Sequence, residues 1–225
     1  MGDDLLAERR GVTSDWYFDQ AEALLEFALK HDSATALVYA ALEARNALER
    51  FVLEMALLAT GGQLSEAQVR TAQRRDGAFQ LLDQALKNYR RHVQFTNLAL
   101  EVGRDPFRVA LPNIGQFRRL RTELSDYCHF QADPAATVNH PQRRWFIEGT
   151  TRVKAALDLL RGLRSQVNGI ILPESMPPEV REVFQVFLAD EIDMPTARIR
   201  LRLMHPVLEE RLRRAGHRPG FRRSE

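Results

Sequence analysis

Apolar residues recur along most of this chain at alternating steps of three and four, the repeat that collects side chains on one stripe of an α-helix. From Ser33 to about Thr60 the stripe reads Leu37, Ala41, Ala44, Leu48, Phe51 or Val52, Met55 and Leu58. Gly61–Gly62 should end that helix, because glycine readily takes the left-handed backbone that closes helices. Before it, Thr13, Ser14 or Asp15 can cap a helix reaching about His31, with Trp16, Ala23, Leu24 and Phe27 on its buried face. A short helix is predicted from Ser65 to about Arg75. A long one is predicted from Gly77 to Val102, using Phe79, Leu82, Leu86, Tyr89, Val93 and Leu100. Two prolines make 103–112 a loop, after which Asn113 can cap a helix to about Phe130, burying Ile114, Phe117, Leu120, Leu124 and Tyr127 or Cys128. Two more prolines make 131–141 a second loop. The next helix, 142–169, should bury Trp145, Val153, Ala156, Leu160, Leu163 and Val167.

Beyond 172 the texture changes. Pro173, Pro177 and Pro178 read as a linker, and Glu179 to Asp190 as a helix. Arg198 to Leu203 alternates Arg-Ile-Arg-Leu-Arg-Leu, a period of two that predicts a half-exposed short strand. Having no partner strand in the chain, it would pair across a dimer. The pattern thus predicts an all-α helical bundle of about five to six helices over 1–172, followed by a C-terminal extension over 173–225.

Composition adds limits. With 44% hydrophobic and 28% charged residues over 225, the chain matches an ordinary globular protein. No apolar run is long enough for a membrane span. The opening MGDDLLAERR has no secretory apolar core. A cytoplasmic protein is therefore expected. A lone cysteine, Cys128, excludes an intrachain disulfide and a cysteine-rich zinc site, and no cofactor motif is present. The net charge of +2 is unevenly spread. From Pro195 to Glu225 nine arginines face three acids, a local +6, which leaves −4 for the remainder. Such an arm suits phosphate, since arginine contacts displace counterions from nucleic acid. Its rival is a solvated charged tail in a chain whose only lysines are 30, 87 and 154.

Two polar stripes carry candidate chemistry. On the helix ending near 130, Arg118, Thr122, Ser125 and His129 fall at steps of four, three and four, with Arg121 on the adjacent flank and Asp126 one turn before His129. Cleaving RNA through its 2′-hydroxyl needs a group to take that proton and positive charge to stabilise the phosphorane-like transition state. Histidine suits the first and arginine the second. The second stripe lies on the 33–60 helix: Glu43, Asn46, Arg50 and Glu54, with Arg45 and Glu49 nearby. Its plain alternative is a solvated face of surface ion pairs, each worth little. Cys128 and His129 diverge by about 100° on a helix, so they do not form a nucleophile–base pair. Trp16 and Trp145 are expected to be packing residues.

The string LSDYCH, Leu124 to His129, resembles the end-of-helix pattern of one branch of the HEPN superfamily, small helical domains of which many are metal-independent ribonucleases. EARNALE, Glu43 to Glu49, is similar to the acidic, arginine-bearing helix those proteins place earlier in the chain. The resemblance spans about 15–170. It implies a homodimer with His129 in a composite interface site, Glu43 and Arg45 brought towards the histidine helix, and RNA or a nucleotide as ligand.

One departure stands out. Nuclease-type members set an arginine about four to six intervening residues before the histidine, whereas here Thr122, Glu123 and Leu124 fill those positions and Arg121 has seven intervening residues. Arg198 and Arg200 before His205, and Arg211 before His217, fit the spacing but lie outside the bundle. The resemblance therefore implies an RNA- or nucleotide-binding, non-catalytic member with a regulatory or defence-associated role, of the toxin–antitoxin kind. Two other readings stand beside it. One is a metal-independent endoribonuclease using His129 with Arg121 or Arg118, phosphate being held by Arg118, Ser125, Arg45 and Glu43. The other is a helical protein–protein interaction domain.

Overall fold

The computed structural model describes residues 13–60, 62, 64–74, 76–128, 142–167 and 170–214, without the side chains of 142–143, 165–167 and 211–214. Within these the chain is all α, with no strand. The helices are α1 (Ser14–His31), α2 (Ala34–Ala59), α3 (Glu66–Ala72), α4 (Gly77–Val102), α5 (Ile114–Cys128), α6 (Gln142–Val167), α7 (Pro178–Leu188) and α8 (Met194–Arg214). A single 3₁₀ turn, Pro173–Ser175, precedes α7.

The helix ends follow the side-chain chemistry. Thr13 caps α1, its hydroxyl accepting from the Trp16 N–H, and Ser33 caps α2 through the Ala36 N–H. Ser65 and Gln68 form a reciprocal capping box at α3. Asn113 Oδ1 accepts from the Gln116 N–H at 3.2 Å to start α5. Gly62, at φ 81°, takes the left-handed backbone just beyond α2.

Two compact units share these helices. The first draws on 1–89 and 111–165, the second on 90–110 and 166–225, so α4 gives its first half to one and its second half to the other. The division falls within α4 and near the end of α6, not at 172/173.

In the first unit α2 is the central helix. It buries the expected stripe and also Ala36, Ala40, Ala47, Ala56 and Leu57, so it is enclosed over most of its circumference. Its alanines allow α1 to lie close. This closeness selects the face that α1 turns inward. Ser14, Phe18, Ala21, Leu25 and Ala28 are buried, whereas Trp16 is 49% and Phe27 52% exposed. The expected Trp16–Ala23–Leu24–Phe27 face is thus corrected, because an alanine face fits the alanines of α2 and an aromatic one does not. Trp16 is no packing residue. Trp145 is half-buried, its ring 5.2 Å from that of Tyr127. Opposite, Phe51 of α2 stacks on Phe117 of α5. Gly149 in α6 marks another tight approach, since a Cβ there would lie 2.7 Å from the Tyr127 ring and 3.0 Å from Leu37.

In the second unit Phe95 and Leu98 of α4 meet Met176, Val180, Val183, Phe184 and Phe187 from around α7 and Ala197 and Leu201 of α8. The predicted strand at 198–203 is the first half of α8. A longer helical set, Ala197, Leu201, Met204 and Leu208, passes through the alternating segment and packs on this core. Asp193 nucleates the helix, its carboxylate accepting from the Thr196 N–H at 2.9 Å. Hydrogen bonding with Thr196 holds that carboxyl below its usual range. With a cap and a four-three apolar stripe available, no strand partner is needed. The loop after α4 is fixed by Asn97, whose side-chain amide donates to the Val109 carbonyl and accepts from its N–H at 2.9 and 2.8 Å.

Candidate functional site

The polar flanks of α2 and α5 meet in the first unit. Arg121 of α5 donates through Nε to Glu49 Oε1 of α2 at 2.5 Å, and its Nη1 lies 2.5 Å from Asp76 Oδ1 at the start of α4. Arg45 reaches the same Glu49 oxygen at 3.2 Å. The Arg121 side chain is only 14% exposed, and its guanidinium lies over the Phe79 ring. Glu43 accepts from the Asn46 amide at 3.5 Å. Cys128, in the last turn of α5, is within electrostatic reach of this face. Burial pushes its thiol up, Arg45 pulls it down, and Glu49 and Glu43 push it up again. The order of terms leaves Cys128 a protonated thiol at neutral pH, consistent with a packing role.

The site residues expected on α5 divide into two groups. Arg121 is enclosed, whereas Arg118, three residues earlier, is half-exposed and pairs with Asp83 at 2.5 Å. The hydroxyls are occupied by their own helix. Ser125 Oγ donates to the Arg121 carbonyl at 2.8 Å and Thr122 Oγ1 to the Arg118 carbonyl at 3.0 Å. Asp126 is exposed and lies 3.9 Å from Arg152 of α6. His129 lies outside the described residues, as do His140, His217 and the arginine side chains from 211 onward. Of the expected α2 set, Arg50 and Glu54 serve elsewhere. Glu54 accepts from the Ser14 N–H at 2.9 Å and from its hydroxyl at 2.5 Å, and pairs with Arg50 at 3.4 Å. A carboxylate at the start of α1 also suits the helix dipole.

The structure therefore brings Glu43, Arg45, Glu49, Arg121 and Cys128 to one place, with Asp76 added. Two guanidiniums face three carboxylates (Glu43, Glu49, Asp76), so the cluster is acidic by one charge and gives an oxyanion no net attraction. Asp76 and Asp83, which fix Arg121 and Arg118, are absent from the sequence expectations. The one available signal was Asp76 directly before Gly77 at a helix start, where its left-handed backbone, φ 62°, sets the turn. Among the described residues no group of three metal-ligating side chains occurs, and no helix is long and apolar enough to cross a membrane. No family model, curated protein or solved structure matches the chain.

Proposed function

We propose that this chain is a HEPN-like RNA- or nucleotide-binding protein, acting as a homodimer, that keeps the helical scaffold of that class without its chemistry and serves a regulatory or defence-associated role. The observation that carries the non-catalytic reading is the state of Arg121. Two carboxylates within 2.5 Å already satisfy its guanidinium. A phosphate could engage it only by displacing them, against the repulsion of both. Together with its displacement from the nuclease spacing, this leaves His129 without an arginine free to stabilise a phosphorane. The Glu43–Arg45–Glu49–Arg121 cluster then holds α5 on α2 and sets the position from which His129 emerges. Phosphate falls to Arg118, at the solvent edge of α5.

One observation favours the endoribonuclease reading: Arg118 is 49% exposed and held by a single surface carboxylate, so its side chain can swing to a substrate at little cost. Metal-independent cleavage by His129 with Arg118 is the form that reading takes. Incubating labelled single-stranded and hairpin RNA with the protein and with His129→Ala, in the presence of a chelator, separates the two. Retention of RNA without cleavage by either protein is the expected result. Cleavage by the wild type that disappears in His129→Ala would establish the nuclease. Failure to retain RNA or nucleotide even at low salt would sink the binding reading altogether.

A further inference from the structure

Besides the face that α8 packs on the second-unit core, the helix carries a second apolar stripe. Ile199, Leu203 and Val207 recur every four residues and are 59, 74 and 55% exposed. Beside them a groove of about 350 Å³ is lined by Glu179, Arg200, Leu203, Met204, Val207 and Leu208. Burying exposed aliphatic side chains is favourable, and a row of them backed by a groove fits a helix laid alongside.

Symmetry and charge identify the occupant. The stripe is nearly palindromic about Leu203, with a β-branched residue four positions away on each side. The charge along the helix reverses, Arg198, Arg200 and Arg202 preceding the centre and Glu209 and Glu210 following it. A parallel neighbour would set arginine beside arginine. An antiparallel one sets Ile199 opposite Val207 and brings Glu209 within about 1.5 Å, along the axis, of the level of Arg198. Aliphatic side chains offer nucleic-acid bases no stacking surface, and Glu179, Glu209 and Glu210 disfavour an anionic bilayer.

We propose that α8 is a self-association surface on which a second copy of this chain packs antiparallel, stripe to stripe, about a two-fold axis at Leu203. Such an isologous contact makes each half complementary to the other. The proposal shares with the functional reading above only the expectation of a homodimer. It gives that homodimer a contact on α8, separate from any RNA site. Three side chains and a groove place it at the small end of interface sizes, so it dissociates on dilution.

Sedimentation equilibrium from low to high micromolar concentration tests it, on the wild type, Leu203→Glu and Leu203→Arg. Because residue 203 is three-quarters exposed, neither charge disturbs the fold, which circular dichroism checks. Dimerisation of the wild type, weakened at least about tenfold in both variants, is the expected result. Cysteine pairing in a Cys128→Ser background fixes the geometry. Leu203→Cys should cross-link to itself on oxidation, whereas Ile199→Cys should not, its two copies lying about 12 Å apart along the axis. A dimer that ignores both Leu203 variants overturns the α8 contact but leaves the homodimer and RNA readings intact. A monomer throughout overturns the contact and the homodimer together, while RNA retention, measured separately, still decides the binding reading.

Discussion

The two units each enclose an arginine, and the two are held in different ways. Arg121 in the first unit is fixed by side-chain carboxylates alone, those of Glu49 and Asp76. Arg91 in the second, 16% exposed, donates through Nε to the Phe187 carbonyl at 2.8 Å, and its Nη2 reaches the same carbonyl and, at 3.4 Å, that of Ile192. Its Nη1 pairs with Asp190, and its guanidinium plane lies 4.2 Å from the Phe187 ring centroid. Arg91 therefore satisfies the open carbonyl end of α7 and secures the left-handed turn at Asp190. Arg121 joins three helices by charge but satisfies no backbone group. An arginine that replaces missing backbone partners is a folding element, whereas one held by movable carboxylates can be exchanged for neutral groups of similar shape.

The largest effect should therefore come from Arg91. Arg91→Ala leaves the Phe187 carbonyl without its donor, removes the ion pair and uncovers an aromatic face, a loss of about 2–4 kcal/mol. Arg91→Lys keeps the charge but not the planar fork, and should recover less than half of that. Urea denaturation gives the total, and faster amide exchange over 187–192 gives its location. A loss under about 0.5 kcal/mol, within the range of ordinary surface changes, would remove the distinction between the two arginines.

Arg121→Gln should cost less, about 1–2 kcal/mol, since Glu49 and Asp76 are a third and nearly half exposed and water can take over the carboxylates. Substituting Glu49 as well should recover part of the loss, because Arg45 and Arg121 compete for the same oxygen. A double-mutant cycle that shows strict additivity would mean that the shared Glu49 does not couple them.

How far this was legible in the sequence follows from the same physics. Periodicity located the helices because each needs an apolar stripe, and the caps at Thr13, Ser33, Ser65 and Asn113 stood at their starts. It failed on α1, where two faces were both apolar enough and only the alanines of α2 chose between them. It failed on α8, where alternate arginines imitate a strand while Ala197, Leu201, Met204 and Leu208 keep the helical repeat. The approach of Glu43, Arg45 and Glu49 to α5 could be expected from the resemblance. The capture of Arg121 by Asp76 could not, because that contact depends on how the turn before α4 folds back. Arg91 drew no notice at all, since a guanidinium that caps a helix far along the chain leaves no local spacing to read.

Acid should also tell the units apart. His92 in the second unit is 4% exposed, with Nε2 donating to the Ile171 carbonyl at 2.8 Å and the ring against Phe184. Burial lowers its pKa below the usual histidine value, opposed by the Ile171 hydrogen bond and by Glu174. The unfolded chain therefore takes up a proton at a higher pH than the folded one. Stability is flat above about pH 6.5 and falls as pH drops from there to the folded-state pKa, after which this residue adds no further loss. His92→Gln should be less stable at neutral pH but should flatten the slope between about pH 6.5 and 5. Amide exchange confined to 90–110 and 170–192 is the expected signature. An equal acid response among the α2 amides would assign the slope to something other than His92.

The smallest effect on stability, and the most telling for function, belongs to Arg118. It is half-exposed beside a half-exposed Asp83, so Arg118→Ala should change stability by no more than about 0.5 kcal/mol. If Arg118 is the phosphate contact, RNA affinity should nevertheless fall, and the slope of log affinity against log salt should lose about one unit. Arg121→Gln should do the reverse, lowering stability while leaving the slope unchanged, because its charge is already neutralised within the fold. Measuring both variants on one RNA over a range of salt concentrations puts the two arginines of α5 on separate axes. If both lower the slope equally, Arg121 is open to phosphate after all, and the carboxylates around it must give way when RNA binds.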